Sequence, residues 1–382
     1  MSAPVCELSL GDLVLQAGAG SLAGQAEDGS FPAGWNGPYR DPETPVRNTA
    51  HWLFLLLRCW AWTGEERWRA AALRALAYLT SKDARPMGAS FWCRRKPQKD
   101  FCNGLVGQAW ALEGLLEAQR LLDDERALVL AGAVFHAHPF CTRRAAWHCL
   151  HVDGHRGRID PTFNHQLWFA VQAGELADRG DAEAGSCLQA FLARLPGRLL
   201  LYPSGLIRHE NPYWQVRQPL ESGLAGLRLA RSLPSERGLH AKSVGYHAFN
   251  TTALAQLLRW DRSGALRSSG RLQRAFAHLG SGTYRRRIAA APYGYEYNPP
   301  GFEVPVSLVL ADRNGLDTRN GLDRTPHPPA ADLIVSWLET QVRHGRDPAT
   351  GQFSRGSGDP ATAAARLYEA TRLDPALRLT SG

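Results

Sequence analysis

Lysine is scarce in this chain: 4 of its 44 basic residues are Lys and the rest are Arg. The formal net charge of +8 is therefore carried mainly by guanidinium groups. They are scattered, with no long Lys/Arg block and no recognisable nucleic-acid module. The short run Arg285-Arg286-Arg287 reads as a solvated face. Nucleic acid is thus not an expected partner, while an acidic ligand such as an anionic glycan suits the surplus of charge. No apolar run approaches the ~20 residues that span a bilayer. The opening Met1-Ser2-Ala3-Pro4-Val5-Cys6-Glu7 has neither a basic n-region nor an apolar h-region. A cytoplasmic protein with no membrane partner is the expectation.

Several chemical motifs are also missing. There is no phosphate-cradling P-loop, no Rossmann glycine fingerprint and no G-x-S-x-G elbow, so no cofactor is expected and nucleophilic Ser or Cys chemistry has no support. The 7 cysteines are odd in number, widely spaced and form no C-x-x-C. That pattern fits buried thiols in a reduced compartment better than a disulfide framework. Cys141 and Cys149 with His136, His138, His148, His151 and His155 make a dense local cluster, but their spacing matches no standard zinc pattern and no metal is expected.

What the chain does have is aromatic residues and a repeat. Its 12 Trp and 10 Tyr exceed ordinary usage, against an unremarkable 44 % hydrophobic and 21 % charged content. Surplus Trp and Tyr suit a cleft that stacks on sugar rings, although Trp in a helical core is the commoner arrangement. Aromatic, Pro- and Gly-rich loops lead into short polar clusters followed by apolar helices. These openings fall near residues 48, 103, 164, 247, 303 and 360, at intervals of 55, 61, 83, 56 and 57. Fixed-period similarity of this kind marks stacked or circular helical hairpins.

Apolar spacing of three and four residues places helices at about Leu8–Ala23, Arg47–Thr63 with Glu65–Ser81, Asn103–Leu122 with Asp124–His136, and Asn164–Asp178 with Asp181–Leu195. Later pairs are Ser243–Trp260 with Ser268–Leu279 and Glu303–Asp312 with Ala330–His344, before a last helix at Pro360–Leu373. Short connectors at Gly64, Asp123 and Arg179-Gly180 force antiparallel neighbours. Six inner helices with six outer partners is the arithmetic of an all-α (α/α)6 toroid, a single domain over residues 1–382. The long interval holds an insertion or lid at 196–240, with a further helix at Pro219–Ser232. All the long loops then lie at one end of the ring, together with the positive ends of the inner helices. That end is where the chemistry is expected.

Two stretches carry a family resemblance. Thr162-Phe163-Asn164-His165-Gln166-Leu167-Trp168 resembles the Asn-His helix start of toroidal uronate lyases, and Cys102-Asn103-Gly104-Leu105-Val106-Gly107-Gln108-Ala109-Trp110 resembles inner-helix openings of sugar-acting toroids. With the six-hairpin pattern, the chain is similar to toroidal glycosidases, uronate lyases and N-acylglucosamine epimerase-like proteins. That resemblance implies a carbohydrate substrate.

Three reactions follow, each with its own residues. Hydrolysis needs two carboxyl groups, and it leads. Glu303 or Glu296 is the acid, in the stretch Tyr293 to Glu303, and the partner comes from Asp41, Asp100, Glu210, Glu221 or Asp359. Asp359 before Pro360 also reads as a plain helix cap. Uronate elimination needs a neutraliser and a base. The lyase resemblance assigns these to Asn164 and His165, with Tyr246, Tyr213 or Tyr295 as acid. Epimerisation needs two bases, and His51, His165 and His247 at three helix starts are candidates to face one another across the ring. Arg47, Arg366, His51, Asn103 and Asn250 are candidate substrate ligands, as are Tyr295 and, in the lid stretch His209-Glu210-Asn211-Pro212-Tyr213-Trp214, Tyr213 and Trp214. A non-catalytic glycan-binding toroid is the alternative from another class.

Overall fold

A computed structural model describes residues 6–214, 236–316 and 330–381. Among these residues the helices are α1 Leu10–Ser21, α2 Val46–Thr63, α3 Glu66–Thr80, α4 Gly104–Leu122, α5 Glu125–Ala137, α6 Phe163–Ala177 and α7 Ala182–Arg198. They continue as α8 Glu236–Leu257, α9 Gly270–Leu279, α10 Gly282–Ala289, α11 Pro300–Arg313, α12 Ala330–Gly345 and α13 Pro360–Ala365, the last extended by a 3-10 segment Arg366–Arg372.

The inner ring closes on itself. α2 packs on α4, α4 on α6, α6 on α8 and α8 on α11; the Arg366–Arg372 segment then touches both α11 and α2. Each inner helix has its outer partner, α3 on α2, α5 on α4, α7 on α6 and α12 on α11, with α9 and α10 behind α8. The sixth partner comes from the other end of the chain: α1 packs against Arg366–Arg372. Strand Cys6–Ser9 pairs antiparallel with Arg378–Ser381 and locks that junction. The fold is an (α/α)6 toroid, as the repeat implies.

The core explains the closure. The inner helices bury residues on every side, as Trp52, Leu53, Phe54, Leu55 and Leu56 do in α2, whereas outer helices such as α3 bury one stripe. A helix apolar all round has to be surrounded, and a ring supplies neighbours on both flanks and behind. The tight connectors are built as the sequence requires. Gly64 ends α2 with φ +69° and donates its N–H to Trp60 O, and Asp123 ends α4 in the same left-handed region.

Local differences from the sequence expectation have local causes. Residues Phe140–Ile159 form a three-stranded antiparallel sheet, with His148 paired to Ile159 and Leu150 to Arg156, where no strands were expected. α8 starts at Glu236, two turns before the expected Ser243, and α10 is an additional helix. The expected helix Pro219–Ser232, with Glu221, lies outside the described residues. So does part of the 196–240 insertion. No helix among the described residues is long and apolar enough to cross a membrane.

Candidate active site

One cavity of about 200 Å³ opens among the loops at the inner-helix starts. Each wall is set by a local device. Asn36 has φ +54°, a left-handed conformation that Asn tolerates better than most residues. The turn around it is clamped by Asp359, whose Oδ2 accepts the backbone N–H groups of Trp35 and Gly37, both at 2.9 Å. The same carboxylate caps α13 through the N–H of Thr362 at 3.3 Å. Asp359 is therefore the helix cap that its Pro neighbour suggests, and is occupied with backbone.

Arg47, in the first turn of α2, is buried and lies over the Trp110 ring, 4.2 Å from its centroid. Its Nη1 donates to Asn36 Oδ1 at 3.3 Å and to Glu43 Oε1 at 3.4 Å, while Nε and Nη2 have no partner in the protein. Burial pushes the Glu43 carboxyl up to about 7 against the pull of Arg47. Arg366 reaches the cavity from the last inner segment, pairs with Glu303, and leaves its Nε unpartnered. Two buried guanidinium groups with unused donors thus face one small space. In a buried setting such donors are costly unless a ligand accepts from them.

The side-chain amides extend this pattern. Asn36 Oδ1 accepts from Arg47 and from Tyr297 OH at 2.7 Å, which leaves its NH2 for the cavity. Asn103 Oδ1 accepts from Arg94 Nη1 at 2.9 Å and likewise offers NH2. Asn298 is turned the other way, its NH2 donating to Gly245 O at 3.1 Å. The wall near Arg47 is donor-rich and matches an electron-rich group.

The cavity also holds a titratable pair. His165, in the first turn of α6, shares a 2.7 Å hydrogen bond between Nδ1 and Asp160 Oδ2, leaving Nε2 as its other nitrogen. Asp160 is fully buried and also accepts from the N–H groups of Leu105 at 3.0 Å and Thr162 at 3.0 Å. Burial pushes its carboxyl up, but His165 and these N–H donors outweigh that and hold it well below the usual carboxylate range. Asp160 stays an anion that orients the imidazole. Room for the pair comes from Gly104, the first residue of α4, at φ +58°: a β-carbon there would lie 2.5 Å from Asp160 Oδ2. His209 also lines the cavity, near enough to His165 for the charge of one ring to disfavour that of the other. Burial, then Lys242 and His165, lower it to about 3, so it is a neutral imidazole at pH 7.

Of the expected site residues, Asn164, His165, Arg47 and Asn103 line this cavity, as do Glu210, Tyr246 and Arg366. The others are elsewhere. Glu303 sits beneath it, fully buried and paired with Arg366; burial, partly offset by that arginine, pushes its carboxyl up to about 8. Glu296 is exposed. His247 is buried behind the wall, with Nε2 at 3.0 Å from Ala275 O and Nδ1 accepting from Ile207 N at 3.3 Å. His51 lies below Arg47, stacked on Tyr368 at 4.3 Å, and Asn250 is buried off the cavity. Tyr295 stacks on His344 at 4.4 Å. Trp214 is buried against Phe163, whereas Tyr213 beside it is exposed. The three histidines of the epimerase expectation do not face one another; His165 alone of the three reaches the cavity. Asp41 and Asp100 are bound to Lys96 and Lys99 and to Arg94. Among the described residues no three His, Cys, Asp or Glu side chains gather as a metal site, and the 136–155 cluster is dispersed over a helix and a sheet.

Sequence reasoning missed Asp160, Asn36, Tyr39, Arg94, Lys99, Lys242 and Asn298. Only Asp160 left a local trace, since Asp160-Pro161-Thr162 just before the Asn-His helix start has the form of a capping turn.

No known family's sequence profile matches the chain. It is 41 % identical over 377 residues to the archaeal glycosylation protein Q of Haloferax volcanii, covering 96 % of this chain and 98 % of that one. In structure it is similar to cellobiose 2-epimerase from Bacillus thermoamylovorans, with TM-score 0.64, 10 % identity and 95 % and 98 % of the two chains covered. It is also similar to a D-mannose isomerase, with TM-score 0.63, 12 % identity and 95 % of each chain covered. At such identities these likenesses establish the toroid fold.

Proposed function

The chain belongs to the family of the archaeal glycosylation protein Q, and from that membership we propose that it is a carbohydrate-active enzyme that epimerises or isomerises an acidic sugar by proton transfer at carbon. The observation that carries this reading is the His165–Asp160 pair opening into a cavity that Arg47, Asn36 and Asn103 also line with hydrogen-bond donors. His165 Nε2 takes the proton from a carbon next to a carbonyl or carboxylate group. The C–H electron pair moves onto that group's oxygen, and the proton returns to carbon from His165 or its conjugate partner. Arg47 and the NH2 groups of Asn36 and Asn103 stabilise the oxyanion that forms, as donors already in place. His209, neutral at pH 7, acts as a hydrogen-bond donor to the same oxygen or as the second proton carrier.

Glycoside hydrolysis, which led on sequence grounds, is less well supported. It needs two carboxyl groups flanking the bond, and among the described residues Glu210 is the one carboxylate lining the cavity. Arg47 and Arg366 favour a substrate carboxylate, because a planar guanidinium matches a planar anion.

Solvent exchange tests the proposal. Hexuronates and neutral hexoses, free and as oligosaccharides, incubated with the protein in heavy water should incorporate deuterium at one carbon, seen by NMR, in step with a new epimer or isomer. Reducing ends released without deuterium would mean hydrolysis. Growing ultraviolet absorbance from a conjugated double bond would mean elimination. Either outcome sinks the proposal, as would binding without exchange.

A further inference from the structure

Two of the chain's 4 lysines, Lys99 and Lys242, line this one cavity and a third, Lys96, shares Asp41 with Lys99, in a protein that otherwise uses arginine. Lys99 comes from the loop before α4 and Lys242 from α8, yet both ammonium groups lie over the Tyr39 ring, 5.4 and 5.3 Å from its centroid. Burial disfavours the charged form of Lys242, Glu210 opposes this, and Lys99 adds to it. Lys96 and Lys99 both hold Asp41, at 2.6 and 2.5 Å, and Arg94 lies 3.8 Å from the same carboxylate while pairing with Asp100 at 2.5 Å. Four cations therefore face Asp41, Asp100 and the nearby Glu210. The excess is positive and is concentrated where a ligand must enter.

Placing like charges together beside a cavity costs free energy that a bound anion would recover. The kind of cation says which anion. Buried Arg47 and Arg366, planar and stacked, suit a carboxylate held edge-on. Ammonium groups on flexible stems act as point charges and suit the rounder phosphoryl group. Both ammonium groups sit over the Tyr39 ring, and Trp35, 56 % exposed on the clamped turn, is available to stack on a ring outside.

We propose that the cavity mouth is a phosphoryl-binding site in which Lys99 and Lys242, across Tyr39, hold the phosphate of a phosphorylated or phosphate-linked sugar while the sugar unit lies inside against Arg47 and Asn36. The inward placement of the sugar rests on the reading given above, whereas binding of phosphate at the mouth stands without it.

Calorimetric titration of glucose and of glucose 1-phosphate separates the two. The phosphate ester should bind the wild-type protein about tenfold or more tightly than glucose. Its affinity should fall as salt is raised, because an accessible ion pair is screened. The double variant Lys99→Gln/Lys242→Gln should lose most of the preference, its affinity for the phosphate ester falling towards that for glucose. Equal affinity of wild-type protein for glucose and glucose 1-phosphate would overturn the proposal, and so would a salt-independent preference, both measured without any variant. Retention of the full preference by the folded double variant would do the same. Phosphate selectivity without deuterium exchange would count against the proton-transfer reading and leave this one standing; exchange on hexuronate without phosphate selectivity would do the reverse.

Discussion

Gly104 and His165 compete for one small volume: a β-carbon on Gly104 would fall 2.7 Å from Nδ1 of His165, the nitrogen that bonds Asp160. The glycine is also at φ +58°, where a side chain is strained. The start of α4 is thus built around the pair that α6 presents.

Gly104→Ala should accordingly cost about 1–2 kcal/mol of stability from backbone strain and displace the His165–Asp160 pair. A variant that still folds should lose deuterium exchange at least tenfold. Thermal denaturation and exchange NMR on the same sample check both, and unchanged exchange would contradict the coupling.

Asp160→Asn should lower turnover by about 10²–10⁴-fold, since the amide no longer stabilises the imidazolium or fixes its tautomer. KM should change little, because Asp160 is placed to act through His165 and not on substrate. The wild-type carboxyl has a depressed pKa, so its contribution to stability is complete above the unfolded value of about 4 and is lost as pH falls through the native one. Acid unfolding of Asp160→Asn should lack that part of the slope.

Glu303→Gln acts through Arg366, because Glu303 lies beneath the cavity and pairs with that guanidinium. Binding should suffer more than chemistry, with KM for an acidic sugar raised several-fold and kcat held within about threefold. Its pKa is raised from 4.5 to about 8, so the native state binds the extra proton and stability falls as pH rises across that window. Denaturant midpoints measured from pH 5 to 8 should therefore decline less steeply in the variant.

Arg47→Lys keeps the charge but loses the planar fork and its stacking on Trp110. Affinity for hexuronate should drop about 10- to 100-fold, and preference over a neutral hexose should shrink with it. Isothermal titration against both sugars checks this, and a uniform loss for the two would remove Arg47 as the carboxylate ligand.

His247→Gln separates a wall residue from a chemical one. The His247 bonds to Ala275 O and Ile207 N are structural, so the variant should lose about 1–3 kcal/mol of stability and keep its exchange rate per folded molecule. A loss of exchange in fully folded protein would return His247 to the list of acting groups.

Much of this fold was legible in the chain. Gly64 and Asp123 mark helix ends by local conformation, and the apolar content of α2 marks it as an inner helix, because both signals depend on neighbours a few residues away. Asn164, His165, Arg47 and Asn103 were found because they stand at or beside helix starts that reach the cavity. His51 and Asn250 fail by one helical turn. Each lies four residues beyond a lining residue, Arg47 or Tyr246, and so about 6 Å deeper in the ring. His247 fails because α8 begins at Glu236, which puts it three turns along the helix instead of at its start.

By itself the sequence determined six apolar hairpins, their order and the end at which their polar openings gather, since periodicity, caps and loop length are short-range properties. Which openings meet was decided by the closed ring. Helix rotation and depth turn one polar residue into the cavity and bury the next, and α1 completes the sixth hairpin from the far end of the chain. The Arg47–Trp110 stack and the lysines around Tyr39 join residues from separate repeats or loops. Such contacts follow from packing in three dimensions, and local spacing carries no record of them.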